Sequence, residues 1–85
     1  MKLKVLYFAS IREKVGKDAE ELDLPAGIAT VSSLRSHLRA RGGAWAEALA
    51  DGKLLRTAVN QDMAQPSAAI KTGDEVAFFP PVTGG

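Results

Sequence analysis

The sequence predicts an α+β domain in which a mixed β-sheet is covered on one face by a helix. Three observations predict it: strand-like apolar segments occur near both ends of the chain, an amphipathic helical stripe lies between them, and Gly- or Pro-containing turns separate the elements. The 85 residues are enough for one domain only. The 46% of apolar and 25% of charged residues are ordinary for a globular chain.

The first predicted strand covers residues 3–8, and a short helix follows it. Alternation gives the strand two faces, which are Leu3, Val5 and Tyr7 on one side and Lys4, Leu6 and Phe8 on the other. Ser10 is expected to cap the helix, which runs to Val15, with Glu13 completing a capping box. Gly16 is expected to end it in the left-handed conformation.

A second strand and the main helix come next. Residues 19–24 alternate in polarity, with their leucines inward. Thr30 is the expected N-cap of the main helix, and Gly42-Gly43 breaks it. Its apolar stripe, at spacings of three and four, is Val31, Leu34 and Leu38. The arginines of this region are interpreted as a solvated basic face, made of Arg35, Arg39 and Arg41.

The second half of the chain predicts a short helix and further strands. The helix covers residues 44–50 and is anchored by Trp45. Strands are predicted at 54–60 and 75–79, with a short extended piece near Met63. In the last strand, Val76 and Phe78 are expected to face the core, and Glu75, Ala77 and Phe79 to face away from it. The first and last strands are the most apolar, so they are expected in the middle of the sheet. This order of elements is of the β-grasp type.

The unusual part of the sequence is residues 80–85, PPVTGG. Its two prolines lack N–H donors and favour an extended backbone, so residues 1–79 are expected to fold and 80–85 to form an extended, flexible tail. Gly84 and Gly85 have no side chains, and such a tip fits a channel too narrow for a Cβ. The reactive group at the tip is the α-carboxylate of Gly85. Once a partner adenylates it, a sulfur nucleophile can displace AMP and leave a thiocarboxylate.

Composition and charge exclude several other kinds of protein. The net charge is +1, from 11 Lys and Arg against 10 Asp and Glu, so the electrostatic footprint of a nucleic-acid-binding protein is missing. The absence of cysteine excludes disulfides, thiolate metal sites and cysteine nucleophiles. The first residues read neither as a signal peptide nor as a membrane span, so the cytoplasm is the expected compartment. The core is too small to enclose a large substrate, which disfavours an autonomous enzyme.

The sequence resembles the small subunit of molybdopterin synthase. Three segments carry the resemblance: MKLKVLYFASIREKVG at the start, DGKLLRTAVNQ at 51–61 and GDEVAFFPPVTGG at the end. It covers nearly the whole chain, and FFPPVTGG is far more specific than two terminal glycines. The family has the ubiquitin-like β-grasp fold, in agreement with the element order. The chain departs from the family pattern between Leu24 and Thr30 and at Gly42-Gly43.

The resemblance implies a sulfur carrier that binds no cofactor directly and is not catalytic alone. An E1-like enzyme uses ATP to adenylate Gly85, and a sulfur donor then gives the thiocarboxylate. The tail enters the large subunit, in a heterotetramer of two small and two large subunits, and supplies the dithiolene sulfurs of molybdopterin from cyclic pyranopterin monophosphate. Apolar residues that match Phe8, Met63 and Phe79 contact the partner enzymes in the family. The remaining residues predicted to bind the partner belong to the tail: Pro80, Pro81, Val82 and Thr83. Gly85 is the predicted reactive residue, and Gly84 is the residue beside it that fits the channel.

Three other functions remain open from the residues alone. The first is a sulfur carrier for another pathway, such as thiazole or cysteine synthesis. The second is a ubiquitin-like modifier joined to lysines, and the third is a plain interaction module with an inert tail. The tail and the full-length match favour molybdopterin synthesis. A docking patch around Phe8 and Phe79 likewise has an alternative, a second small core against the helix at 10–15.

Overall fold

The structure is a computed structural model that describes residues 1–81, and within this range it has five strands and three helices. The strands are β1 (Lys2–Tyr7), β2 (Ala19–Asp23), β3 (Arg56–Val59), β4 (Asp62–Ala64) and β5 (Glu75–Phe79). The helices are α1 (Ala9–Val15), α2 (Val31–Arg39) and α3 (Gly43–Ala48). None of these helices has the length and apolar character that a membrane span requires.

The strands form one mixed sheet in the order β2-β1-β5-β3-β4. β1 and β5 pair in parallel, and the other neighbours pair antiparallel. The predicted mixed sheet is therefore confirmed, with the two most apolar strands in its interior. The parallel pair matters for function because β1 and β5 then end at the same edge of the sheet.

The core lies on one face of this sheet, beneath α2. The inward side chains of β1 and β5 are buried as predicted, and these are Leu3, Val5, Tyr7, Val76 and Phe78. The helix contributes its predicted stripe, which is Val31, Leu34 and Leu38. Full burial of one such aliphatic or aromatic side chain stabilises the fold by about 1.5–3 kcal/mol. On the opposite face of the sheet, the described residues include the exposed apolar side chains Phe8 and Met63.

Helix capping was predicted correctly at α2 and wrongly at the start of α1. Thr30 is the N-cap of α2: its Oγ1 accepts from the Ser33 N–H at 3.1 Å, and the Thr30 N–H donates to Ser33 Oγ at 2.9 Å. At α1 the cap position is Phe8, not Ser10, and no side chain caps it. The reason is that Ala9 turns the chain with φ +52, so the helix begins directly after β1. Gly16 ends α1 at φ 76, as predicted.

The third strand begins at Arg56, two residues later than predicted. Arg35 explains the difference because its guanidinium donates to the carbonyls of Leu49 at 2.9 Å and Lys53 at 3.1 Å. These bonds hold the segment before β3 against α2, so it does not extend the sheet. Leu54, expected in the strand, is 83% exposed. The short helix α3 likewise ends at Ala48 rather than at residue 50.

The arginines at 35, 39 and 41 were interpreted as a solvated basic face, but each of them binds groups of this chain, although Arg41 is also exposed. Arg39 forms a salt bridge with Asp51. Arg41 donates to both carboxylate oxygens of Glu20, at 2.9 and 3.1 Å, and its guanidinium lies 4.4 Å from the Trp45 ring centroid. Half-buried Trp45 also packs edge-on to Tyr7 at 5.2 Å. The end of α2 is thereby fastened to β2 and to α3.

Glu20 is the centre of this cluster. Tyr7 Oη donates to Glu20 Oε2 at 2.8 Å. Burial raises the pKa of the Tyr7 hydroxyl, and the hydrogen bond to Glu20 raises it further, so Tyr7 stays a donor. Burial alone would raise the pKa of Glu20. The hydrogen bonds from Arg41 and Tyr7 outweigh that effect and hold its pKa below the ordinary value of 4.5.

Replacing Glu20 by Gln is expected to lower the free energy of unfolding by about 1–2 kcal/mol at pH 7, because it removes a charge-assisted acceptor. Since the folded-state pKa of Glu20 lies below the unfolded value, this contribution is present above pH 4.5 and is lost as the pH falls through the folded-state value. Urea denaturation at pH 7 and at pH 3 measures it. Glu21→Gln is the matched control, since Glu21 is exposed on the same strand. Equal stability of the two variants at pH 7 would contradict the assignment.

Candidate functional site

The tail begins at the end of the sheet's interior strand β5. This strand ends at Phe79, where the boundary between domain and tail is predicted, and half-buried Pro80 and Pro81 follow without strand pairing. The Phe8 N–H donates to the Phe78 carbonyl at 3.2 Å, so the end of β1 is fixed beside the end of β5. The predictions for Val82, Thr83, Gly84 and Gly85 lie outside the described residues.

Two aromatic side chains flank the start of the tail on the face of the sheet opposite the core. Phe8 and Phe79 meet edge-to-face, with ring centroids 6.5 Å apart and an angle of 87° between the planes. Phe8 is 44% exposed. The alternative of a second small core against the first helix does not hold, because α1 directs its buried residue, Ile11, into the main core. The aromatic pair is therefore a surface feature at the point where the tail departs.

Strand register extends this apolar surface across the sheet. Leu6 pairs with Ala77, Ala77 with Ala58, and Ala58 with Met63, and paired residues share a face. Met63 is 59% exposed. We call the resulting surface the outer apolar face, which consists of exposed Phe8 and Met63, half-buried Leu6, Ala77 and Phe79, and buried Ala58 between them. The structure thus brings together the three predicted partner-binding residues of the folded domain on one face.

Charge divides the same face of the sheet into two halves. Away from the tail, Lys4 pairs in register with Glu21 on β2 and with Glu75 on β5. At the tail end, exposed Arg56 lies opposite Phe79. The apolar half is the one next to the tail, so a partner that covers it also meets the start of the tail. An apolar face with exposed aromatic and methionine side chains is typical of an interaction surface.

The outer apolar face is suited to binding, since its exposed members are the apolar side chains Phe8 and Met63. No group of three or more His, Cys, Asp or Glu among residues 1–81 has the arrangement of a metal site. None of the six side chains of the outer apolar face titrates.

Sequence reasoning missed part of the outer apolar face. Leu6 and Ala77 were placed on the correct side of their strands by alternation, but their contribution to the surface was not predicted. Ala58 was not identified at all, because its place depends on the register between β3 and β5. The available signal was the alternation within LLRTAVN once that strand is paired with EVAFF.

Comparison with known proteins gives one family. A model described as the ThiS family matches residues 5–85. The molybdopterin synthase sulfur carrier subunit of Escherichia coli is 54% identical over 83 residues, which is 98% of this chain and 99% of the relative. The subunit of the same name from Haemophilus influenzae is 51% identical over 83 residues, which is again 98% of this chain and 99% of the relative.

Solved structures give the same fold. Crystalline SAMP1 from Haloferax volcanii matches with a TM-score of 0.75 and 26% identity over the full length of both chains. A Pyrococcus furiosus protein whose name gives subunit 1 of a molybdopterin converting factor matches at 0.78, with 33% identity over 96% of this chain and 99% of that one. A complex of subunits 1 and 2 of the molybdopterin-converting factor from Helicobacter pylori matches in fold at 0.65, with 22% identity over the full length of both chains.

Proposed function

Since this chain belongs to the ThiS family and, within it, to the molybdopterin synthase sulfur carrier subunits, we propose that it carries sulfur as a thiocarboxylate on Gly85. The observation that carries the proposal is the place of the tail. It starts at the end of an interior strand, directly beside the outer apolar face, so one docking event positions both. The folded domain is then the part that a partner recognises, and the tail is the part that reacts.

The chemistry begins at the α-carboxylate of Gly85. One carboxylate oxygen attacks the α-phosphorus of ATP, the bond to pyrophosphate breaks, and an acyl adenylate forms. A sulfur donor protein then delivers sulfur at the level of hydrosulfide to the carbonyl carbon, and AMP leaves with the electron pair of the C–O bond. The product is a thiocarboxylate, whose sulfur is a better nucleophile than the original oxygen. This chain holds no ATP itself, because the E1-like partner binds it.

The acceptor stage takes place in the large subunit of molybdopterin synthase. The tail enters its active site and gives sulfur to cyclic pyranopterin monophosphate, which forms the dithiolene of molybdopterin. Two small and two large subunits form the assembly, and the reaction takes place in the cytoplasm. Phe8, Met63 and Phe79 supply the contact. Their apolar side chains are exposed or half-buried in the free chain, and docking of a partner removes this apolar area from water.

A protein modifier is the second candidate. The likeness to SAMP1, a small archaeal modifier protein by name, favours it. Both candidates share adenylation of Gly85 and differ in the acceptor, which is a lysine amine for a modifier and a pterin precursor for the sulfur carrier. The 54% identity with a sulfur carrier subunit, against 26% with the modifier, favours the pterin pathway. Conjugates of higher mass in cells that express the tagged chain would support the modifier.

Intact mass spectrometry tests the proposal. The chain is incubated with an E1-like enzyme, ATP and a sulfur source, and a gain in mass equal to sulfur replacing oxygen is expected. The same mixture without ATP is the control and is expected to leave the mass unchanged. An unchanged mass in the complete mixture would overturn the proposed carrier role.

A further inference from the structure

A groove of about 570 Å³ opens between α2, the segment before β3 and the hairpin of β3 and β4. Met63 lines it and also belongs to the outer apolar face. Pro81, the last described residue, lines it too. The groove is thus continuous with the surface beside the tail, and a partner that covers the outer apolar face reaches its mouth.

One apolar side chain of this groove has no cover. Leu54 is 83% exposed, more than Met63 at 59% or Phe8 at 44%, and it lines the groove from the segment before β3. A single exposed leucine is ordinary on a protein surface. Leu54, however, shares its groove with Met63, so the groove and the outer apolar face together form a larger apolar surface that bends around the β3–β4 hairpin.

The groove also carries uncompensated positive charge. Its ionisable residues are Arg35, Asp51 and Arg56. Asp51 already pairs with Arg39, and Arg35 donates to neutral backbone carbonyls. Arg56 forms no salt bridge with any residue from 1 to 81. This arrangement favours the binding of a carboxylate. Such a group would meet the guanidinium charges of Arg35 and Arg56, and repulsion from Asp51 is reduced because Asp51 already pairs with Arg39.

We propose that the groove receives an extended segment of the large subunit, with a carboxylate beside Arg56 and an apolar side chain against Leu54. The inference rests on the proposed function, which supplies the partner. A partner segment fits better than the chain's own last residues, because sulfur transfer requires those residues in the partner's active site at the time when the two proteins are docked. The contact extends docking beyond Phe8, Met63 and Phe79.

Binding to the large subunit of Escherichia coli molybdopterin synthase tests the proposal. Leu54→Ser and Arg56→Glu are each expected to weaken binding about tenfold. The Arg56 effect is expected mainly in the association rate and should shrink at high salt, because exposed charges are screened. Lys71→Glu is the matched charge reversal, at an exposed position before the start of β5, and is expected to bind like the wild type. Thermal unfolding of each variant verifies that the fold is kept.

A cross-link identifies the occupant. Because the chain has no cysteine, Leu54→Cys gives a single site for a photoreactive label. In the complex we expect a cross-link to an acidic segment of the large subunit. A cross-link to the chain's own residues 82–85 in the complex would overturn the inference.

The outcomes separate this inference from the function on which it rests. If binding depends on Phe79 but is unchanged by Leu54→Ser and Arg56→Glu, the groove is not part of the interface and the sulfur carrier role stands. If the wild type does not bind the large subunit at all, both proposals fail.

Discussion

Deletion of Gly85 is expected to abolish sulfur transfer to background and to leave the folded domain unchanged. The shortened chain still ends in a carboxylate, but this group lies one residue, about 3.5 Å, short of its former reach. Reaction requires the attacking and accepting atoms within about 3–3.5 Å, so a shift of this size removes the productive geometry. Among residues 1–81, every buried core residue lies between Leu3 and Phe78, so the free energy of unfolding is expected to change by less than about 0.5 kcal/mol.

Formation of the dithiolene with purified large subunit measures the transfer, and thermal unfolding measures the fold. Gly84→Ala is the graded companion, because it keeps the terminal residue and adds one methyl group to the tip. We expect it to reduce transfer less than the deletion does, through steric conflict in the partner's channel. Undiminished dithiolene formation by the deletion variant would refute the role of Gly85. Equal loss of sulfur transfer in both variants, with normal adenylation, would show that transfer depends on steric fit in the partner's channel rather than on the length of the tail.

The sheet and its faces were predictable because strand alternation is a local property. The outward placement of Phe8 and Phe79 follows from counting residues along each strand, and their proximity follows from placing the two most apolar strands side by side. The stripe of α2 was equally local, since spacings of three and four define one helix face.

The parts that sequence reasoning missed depend on contacts between distant residues. Arg35 ties the segment before β3 across 14 and 18 positions of sequence, and no local pattern distinguishes this arginine from a solvated one. The bidentate pairing of Arg41 with Glu20 spans 21 positions. Leu54 lines the same groove as Arg35, and its exposure could not be predicted from strand propensity, which favoured a strand at this position.

The adjacent residues Phe78 and Phe79 provide the sharpest separation of folding from binding. They point to opposite faces of β5, since Phe78 is fully buried in the core and Phe79 is half-buried on the outer apolar face. Phe78→Ala is expected to cost about 3–5 kcal/mol, because it removes a core ring and leaves a cavity. A small domain has about 5–15 kcal/mol of stability in total, so this variant should be close to unfolding.

Phe79→Ala is expected to keep the fold and to weaken binding to the large subunit by about 2 kcal/mol, or roughly 30-fold. The physical reason is that the ring forms an edge-to-face pair with Phe8, and a partner that covers one ring desolvates both. Circular dichroism and calorimetric titration of the two variants, side by side, measure the contrast. Phe8→Ala should reproduce the loss of binding, and the double variant should lose less than the sum of the two single losses, because the rings act as a pair. Wild-type affinity in Phe79→Ala would show that partners dock elsewhere on the molecule.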